Sequence, residues 1–341
     1  MHSEAMECLV RATNLSIGYR TGVPLAAGLN LRIYPGELIA LMGPNGTGKS
    51  TLIRTLAGLQ TSLGGEIRIG DQDLKNLGLR ERSRLMSVVF SEPPRPGLIR
   101  VYDLVAIGRH PHTNWSGRMD SHNRSVVDWA IECTGIHHLR GRLVHQLSDG
   151  ERQKVMIARA MAQDTSLMFL DEPTAHLDLS NRAEIVGLLR RLSHDTGKSI
   201  LMSSHDLELS LQASDRLWLL DKNGGIISGF PEDLVLDGFV GRLFESREVA
   251  FDGERGTFSI QQQCRETVVL RGEGIPYVWT ARALERNGFR VVKDGASDLR
   301  VSVSATDENR FWLLEHRRDN RQYSSLAELI PAIKMGTSQN G

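Results

Sequence analysis

This sequence has no surplus of charge, very little cysteine and no long apolar run, and each lack excludes something. Its 341 residues carry 41 Lys and Arg against 41 Asp and Glu. The basic excess of a protein built on DNA or RNA phosphates is missing, so bulk nucleic-acid binding is disfavoured. Three scattered cysteines, Cys8, Cys133 and Cys264, form neither a disulfide framework nor a metal knuckle. No stretch reaches the roughly 18 uncharged apolar residues that a membrane-spanning helix needs. The first residues, with Glu4 and Glu7 and no apolar run, do not read as a secretory signal. The expectation is a soluble protein of the cytosol. What is present suffices for a folded interior: 40% of residues are hydrophobic and 24% charged, and the length fits about two domains of roughly 100–200 residues.

Apolar runs alternate with longer helical patterns through residues 1–245, which predicts an α/β domain with a largely parallel sheet. Leu38–Met42, Leu167–Leu170 and Ile200–Met202 read as buried strands, each ending in polar or glycine-rich turns. In such sheets ligands sit at the carboxyl ends of strands. Within about 93–165 the pattern changes to helices, at Val101–Ile107 and Ser125–Thr134, which predicts an inserted helical subdomain. Composition shifts near Leu243–Phe258. Residues 246–341 then read as a small α+β accessory domain with strands at Thr267–Leu270, Phe289–Val292, Leu299–Val303 and Phe311–Glu315. Its helices fall at Tyr277–Asn287 and near Ser325–Lys334, and the Gly272–Gly274 pair reads as a turn.

The strongest local signal is Gly43-Pro44-Asn45-Gly46-Thr47-Gly48-Lys49-Ser50, a G-x-x-x-x-G-K-S match placed between a predicted strand and a helix from Thr51 to Gly58. Glycines let the backbone curl so that N–H groups face phosphate oxygens, and the helix N-terminus adds a favourable dipole. Lys49 can reach the β- and γ-phosphates, and Ser50 can place its hydroxyl on Mg²⁺. A second signal is the apolar run ending in Asp171 and Glu172. Asp171 can hold the metal, and Glu172 can orient or deprotonate an attacking water. A third is Leu147-Ser148-Asp149-Gly150-Glu151-Arg152-Gln153 ahead of the amphipathic stretch Lys154–Ala162. By itself it reads as a helix cap.

The order GPNGTGKST, LSDGERQ, LMFLDEP, AHLD (Ala175–Asp178) and SSHD (Ser203–Asp206) resembles the nucleotide-binding subunits of ABC transporters from about Cys8 to Gly229. The resemblance implies a P-loop ATPase fold, ATP and Mg²⁺ as ligands, and a head-to-tail homodimer that sandwiches two ATP molecules. By position, Ser148 and Gly150 would contact the γ-phosphate of the ATP held by the partner. Asp178 would lie at the dimer seam, His205 at the γ-phosphate and its attacking water, and Tyr19 against adenine. Two departures stand out. The signature reads S-D-G-E rather than S-G-G-Q, which brings Asp149 and Glu151 towards a phosphate site. Ser87–Glu92 replaces the usual strand-ending glutamine, with Glu92 or Ser91 in its place and Glu92 as a candidate Mg²⁺ ligand.

Val101-Tyr-Asp-Leu-Val-Ala-Ile-Gly-Arg-His-Pro111 is similar to a stretch in ATPases that serve importers of siderophore-bound iron, haem or cobalamin. That resemblance implies integral-membrane permease subunits and, indirectly, a periplasmic or lipoprotein substrate-binding protein. It places the chain peripherally on the cytoplasmic face of the membrane. Val101, Tyr102, Leu104 and Val105 are then expected in a permease-docking groove or in the lobe's own core. Two alternatives remain open at this point: a soluble ABC ATPase of translation or DNA maintenance, and an exporter ATPase. The absence of a tandem cassette, a heptad run and a basic excess weighs against the first.

Overall fold

The computed structural model describes residues 8–19, 23–90, 97–113, 118–245, 249–260, 266–305, 310–316 and 319–338. The chain divides into two compact units, one of residues 1–245 with 251–258 and one of 246–250 with 259–341.

The first unit is organised by a six-stranded sheet in the spatial order Ile226–Gly229, Arg216–Leu220, Leu38–Met42, Ser199–Ser203, Leu167–Leu170, Met86–Val89. All neighbours run parallel except the edge strand Ile226–Gly229. Every residue of Leu38–Met42 is buried, as expected of a strand covered on both faces. Successive side chains serve different cores. Leu38, Ala40 and Met42 join one that reaches into the helical lobe. Ile39 and Leu41 join another beneath a four-stranded antiparallel sheet of Ala26–Ile33, Val10–Ile17, Gly64–Ile69 and Gln72–Asp73. The helix Lys49–Leu56 adds Leu52, Ile53 and Leu56 to that second core.

The lobe packs the helices Val101–Ala106, Ser121–Cys133 and Asp149–Ala162 together. Val101, Leu104 and Val105 are 0%, 4% and 0% exposed and belong to its core with Val127, Ile131 and Val155. These three residues therefore pack the lobe's own core. Tyr102 is half-buried, with the Arg140 guanidinium 4.3 Å from its ring centre. The helix expected over Val101–Ile107 ends at Ala106, and from Ile107 the chain tightens into a 3-10 segment ending at His112, with Pro111 inside it.

In the second unit the strands Phe289–Val292, Glu266–Arg271, Leu299–Ala305, Arg310–His316 and Asp319–Tyr323 form one sheet in that order. The first three are parallel and the rest antiparallel. The helices Gly274–Arg286 and Leu326–Ser338 share a core with it through Leu284, Leu329 and Ile333, set against Val268, Val301 and Leu314. A buried Trp312 N–H donates to Thr280 Oγ1 at 2.7 Å, which satisfies the one polar atom that this ring carries inwards.

Candidate active site

The loop Gly43–Gly48 leaves the carboxyl end of strand Leu38–Met42 and enters the helix Lys49–Leu56. Gly46 and Gly48 have φ of 80° and 103°, conformations that side chains with a Cβ rarely adopt. The helix starts with Leu52 N–H donating to the Gly48 carbonyl at 2.8 Å. Lys49 is 6% exposed. Its ammonium folds back on the loop, donating to the Gly43 and Pro44 carbonyls at 2.8 and 3.1 Å. Burial depresses its pKa, while Glu172 and Asp171 act to keep it charged. Thr47 Oγ1 donates to the Pro44 carbonyl at 3.0 Å and tightens the same turn.

Asp171 follows strand Leu167–Leu170 and is 3% exposed. Its Oδ1 accepts from Ser50 Oγ at 2.8 Å and from Ser203 Oγ at 2.9 Å. Ser203 in turn accepts the Glu172 N–H at 2.8 Å. Glu172 is held at φ 50°, a left-handed backbone that costs a residue with a Cβ about 1–3 kcal/mol and collects at functional sites. His205 Nε2 lies 2.9 Å from Glu172 Oε1. The structure therefore joins Ser50, Asp171, Glu172 and His205 into one bonded chain beside Lys49. Ser203, which ties the two carboxylates together, was not singled out from sequence. Its signal was a polar residue closing the apolar run Ile200–Met202 in the strand Ser199–Ser203, whose residues are all buried.

Tyr19 lies just past strand Val10–Ile17 and is 62% exposed. Ile17, two residues before it, reaches Gly48 of the loop. Ser91 and Glu92 lie outside the described residues.

Ser148, Gly150 and Asp178 form a second group. Ser148 caps the helix Asp149–Ala162, accepting the Glu151 N–H at 3.2 Å, while Glu151 Oε2 accepts the Ser148 N–H at 2.9 Å. Asp178 caps Leu179–Thr196, accepting from Asn181 N–H and Ser180 Oγ at 2.8 Å and from Asn181 Nδ2 at 2.9 Å. These donors pull its pKa down, the Asn181 N–H most. Gly150 sits so close to the Asn181 amide that any side chain would collide with it. The two carboxylates that depart from the usual signature are both engaged within the chain. Asp149 pairs with Arg152 at 2.9 Å, and Glu151 serves as a cap with Arg142 3.8 Å away. Among the described residues no hydrogen bond joins Ser148 or the Asp178 side chain to the Lys49–Glu172 group.

No helix among the described residues is long and apolar enough to cross a membrane. A family model for the ABC transporter domain matches residues 26–175, and one for the iron ABC transporter C-terminal domain matches residues 265–334. The chain is 34% identical over 253 residues to an uncharacterised ABC transporter ATP-binding protein of Methanocaldococcus jannaschii, covering 74% of this chain and 87% of that one. It is 35% identical over 231 residues to an iron(3+)-hydroxamate import ATP-binding protein of Bacillus subtilis, covering 68% and 86%. A solved dimer of an ATP-binding cassette in a post-hydrolysis state, bound to ADP and Pi, matches with a TM-score of 0.56 at 25% identity, covering 65% of this chain and 98% of that one. With the loop, the paired carboxylates and the histidine in one cluster, these likenesses agree: the chain belongs to the ATP-binding proteins of ABC transporters, nucleotide-binding ATPases of the P-loop fold.

Proposed function

We propose that this chain is the ATP-hydrolysing subunit of an importer of iron complexes such as siderophores, driving a separate membrane permease by closing as a head-to-tail dimer around two nucleotides. The observation that carries the hydrolytic part is the placement of Glu172. Its backbone is held in a left-handed conformation by Ser203, one carboxylate oxygen meets His205, and the other is left to take a proton. Water attacks the γ-phosphorus, its proton passes to Glu172, and the bond to the bridging oxygen breaks to leave ADP. Lys49 exchanges the Gly43 and Pro44 carbonyls for phosphate oxygens, and Tyr19 stacks on adenine. Ser148 and Gly150 of the facing subunit close over the γ-phosphate, and Asp178 lies at the seam.

A magnesium ion suits the residues present. Ser50 and Asp171 offer hard oxygen donors 2.8 Å apart, the ligand type that Mg²⁺ prefers alongside phosphate and water. Among the described residues no group of three His, Cys, Asp or Glu gathers to hold a metal alone. Bound there, the ion would neutralise charge on the phosphate oxygens.

Import of an iron complex is supported by the relatives named for iron chelates and by the match of the second unit to an iron-transporter C-terminal family. We assign residues 1–245 to the ATPase domain, with its helical subdomain at about 93–165, and 246–341 to the accessory domain. The permease fixes the chain peripherally to the cytoplasmic face of the membrane, and a substrate-binding protein outside acts through it. Glu172→Gln is expected to cut steady-state ATPase by about 10²–10⁴-fold and to elute with Mg·ATP at twice the monomer mass. Full-rate turnover by that variant refutes the role of Glu172, and a monomeric profile with nucleotide refutes the sandwich.

A further inference from the structure

The outer face of the antiparallel sheet in the first unit carries a row of arginines. Arg11 lies directly opposite Arg32 on one neighbouring strand and Arg68 on the other. Side chains opposed in this way have Cβ atoms about 4.5–5.5 Å apart, and like charges there repel. Alternation builds the row. Val10 and Ala12 on one strand and Leu31 and Ile33 on the next are buried, so Arg11 and Arg32 face outwards.

The row is unevenly compensated. Arg68 pairs with Glu66 at 3.0 Å. Arg216, on the strand Arg216–Leu220, donates to Glu37 Oε1 from Nη2 at 3.0 Å and from Nε at 3.3 Å, and lies 5.7 Å from the Tyr34 ring centre. Arg11 and Arg32 have neither a hydrogen bond nor an ion pair among the described residues. An open cleft of about 560 Å³ is lined by both of them, together with Thr13, Tyr34, Arg216 and Ser228, and no acidic residue among those described lines it.

Two unpaired guanidinia side by side offer two planar donor forks that match the oxygens of phosphate or carboxylate. A single carboxylate fills one fork and leaves the other charge uncompensated. Linked phosphoryl groups carry several charges and enough oxygens to meet both forks at once, and the Thr13 and Ser228 hydroxyls are placed to donate to further oxygens.

We infer that this cleft binds an oligophosphate, two or more linked phosphoryl groups, through Arg11 and Arg32. The site is separate from the nucleotide loop. Arg11 and Ile17 sit towards opposite ends of the strand Val10–Ile17, and Ile17 reaches Gly48. At about 3.3 Å per residue the two sites lie about 20 Å apart. The inference goes beyond the transport reading and does not rest on it.

The test is made on the full chain carrying Lys49→Met, so that the nucleotide loop does not report. Tripolyphosphate is expected to release heat on titration and to raise the melting temperature. Arg11→Gln or Arg32→Gln, added singly, should weaken binding about tenfold or more, the worth of a hydrogen bond to a charged group. Arg11→Lys keeps the charge but loses the fork and should fall between. Without ligand both Gln variants should melt no lower than the parent, since a like-charge neighbour is gone, so lost binding is not lost folding. The same proteins are then floated with phosphatidylcholine vesicles with and without cardiolipin, whose headgroup joins two phosphates. Cardiolipin-dependent flotation that both Gln variants abolish assigns the phosphates to a lipid, and binding of tripolyphosphate alone assigns them to a soluble ligand. Binding of neither probe, or binding that both Gln variants leave at full strength, overturns the site.

Discussion

At the scale of single residues, the site is poised for an anion. Lys49 spends its buried ammonium on two loop carbonyls, and Asp171 takes two hydroxyls on a single oxygen. Nucleotide binding to the folded state alone stabilises it by about 2.7 kcal/mol at a hundredfold excess over Kd. At about 2–4 °C per kcal/mol for a domain of this size, Mg·ATP should raise Tm by about 5–10 °C. Lys49→Met should lose that increment together with ATPase activity, measured by differential scanning fluorimetry with and without Mg·ATP. An increment of wild-type size in Lys49→Met would remove Lys49 from the phosphate site. Most of this chemistry is legible in sequence, because glycine spacing and a carboxylate pair at a strand end are local features. The bond between Ser203 and Asp171 spans 32 residues and depends on strands Leu167–Leu170 and Ser199–Ser203 being neighbours, which no local pattern states.

At the scale of elements, the departure from the usual signature becomes a capping device. Glu151 and Ser148 satisfy each other's backbone N–H at the start of the helix Asp149–Ala162. The Ser148 N–H, first among its causes, holds the Glu151 carboxyl below its ordinary value of 4.5. A group with a depressed folded pKa stabilises above the unfolded value, and that contribution drains away as pH falls through the folded one. Glu151→Ala is therefore expected to cost about 0.3–1.5 kcal/mol at pH 7 and much less near pH 3, read from urea midpoints at both values. An equal cost at both values would show that the carboxylate is not the capping group.

Other elements were legible to different degrees. Leu167–Leu170 and Leu38–Met42 announce themselves as uninterrupted apolar runs, and the observed bounds match the reading. The antiparallel sheet does not, because register shifts between Ala12 and Leu15 and between Leu15 and Ile17 break its alternation. The apolar stripe of Val101, Leu104 and Val105 says that a face is covered without saying by what. The lobe's own helices cover it. In the second unit the strand Asp319–Tyr323 escaped notice because DNRQY is polar up to Tyr323, the one residue it packs against the core.

At the scale of the molecule, one chain holds two separate groups of candidate site residues. The phosphate loop, the carboxylates and His205 form one. The Ser148, Gly150 and Asp178 group, braced by Asn181 and by the Lys154–Glu184 pair at 2.5 Å, forms the other. If hydrolysis requires the first from one copy and the second from its mate, two individually dead proteins can rescue each other. Mixing Lys49→Met with Ser148→Arg and letting the copies exchange should give hybrids in which one pocket carries both lesions and the other none. With random pairing about a quarter of all pockets are then whole, so ATPase should reappear on mixing and scale with the hybrid fraction. Continued silence of the mixture would mean that each chain works on its own nucleotide.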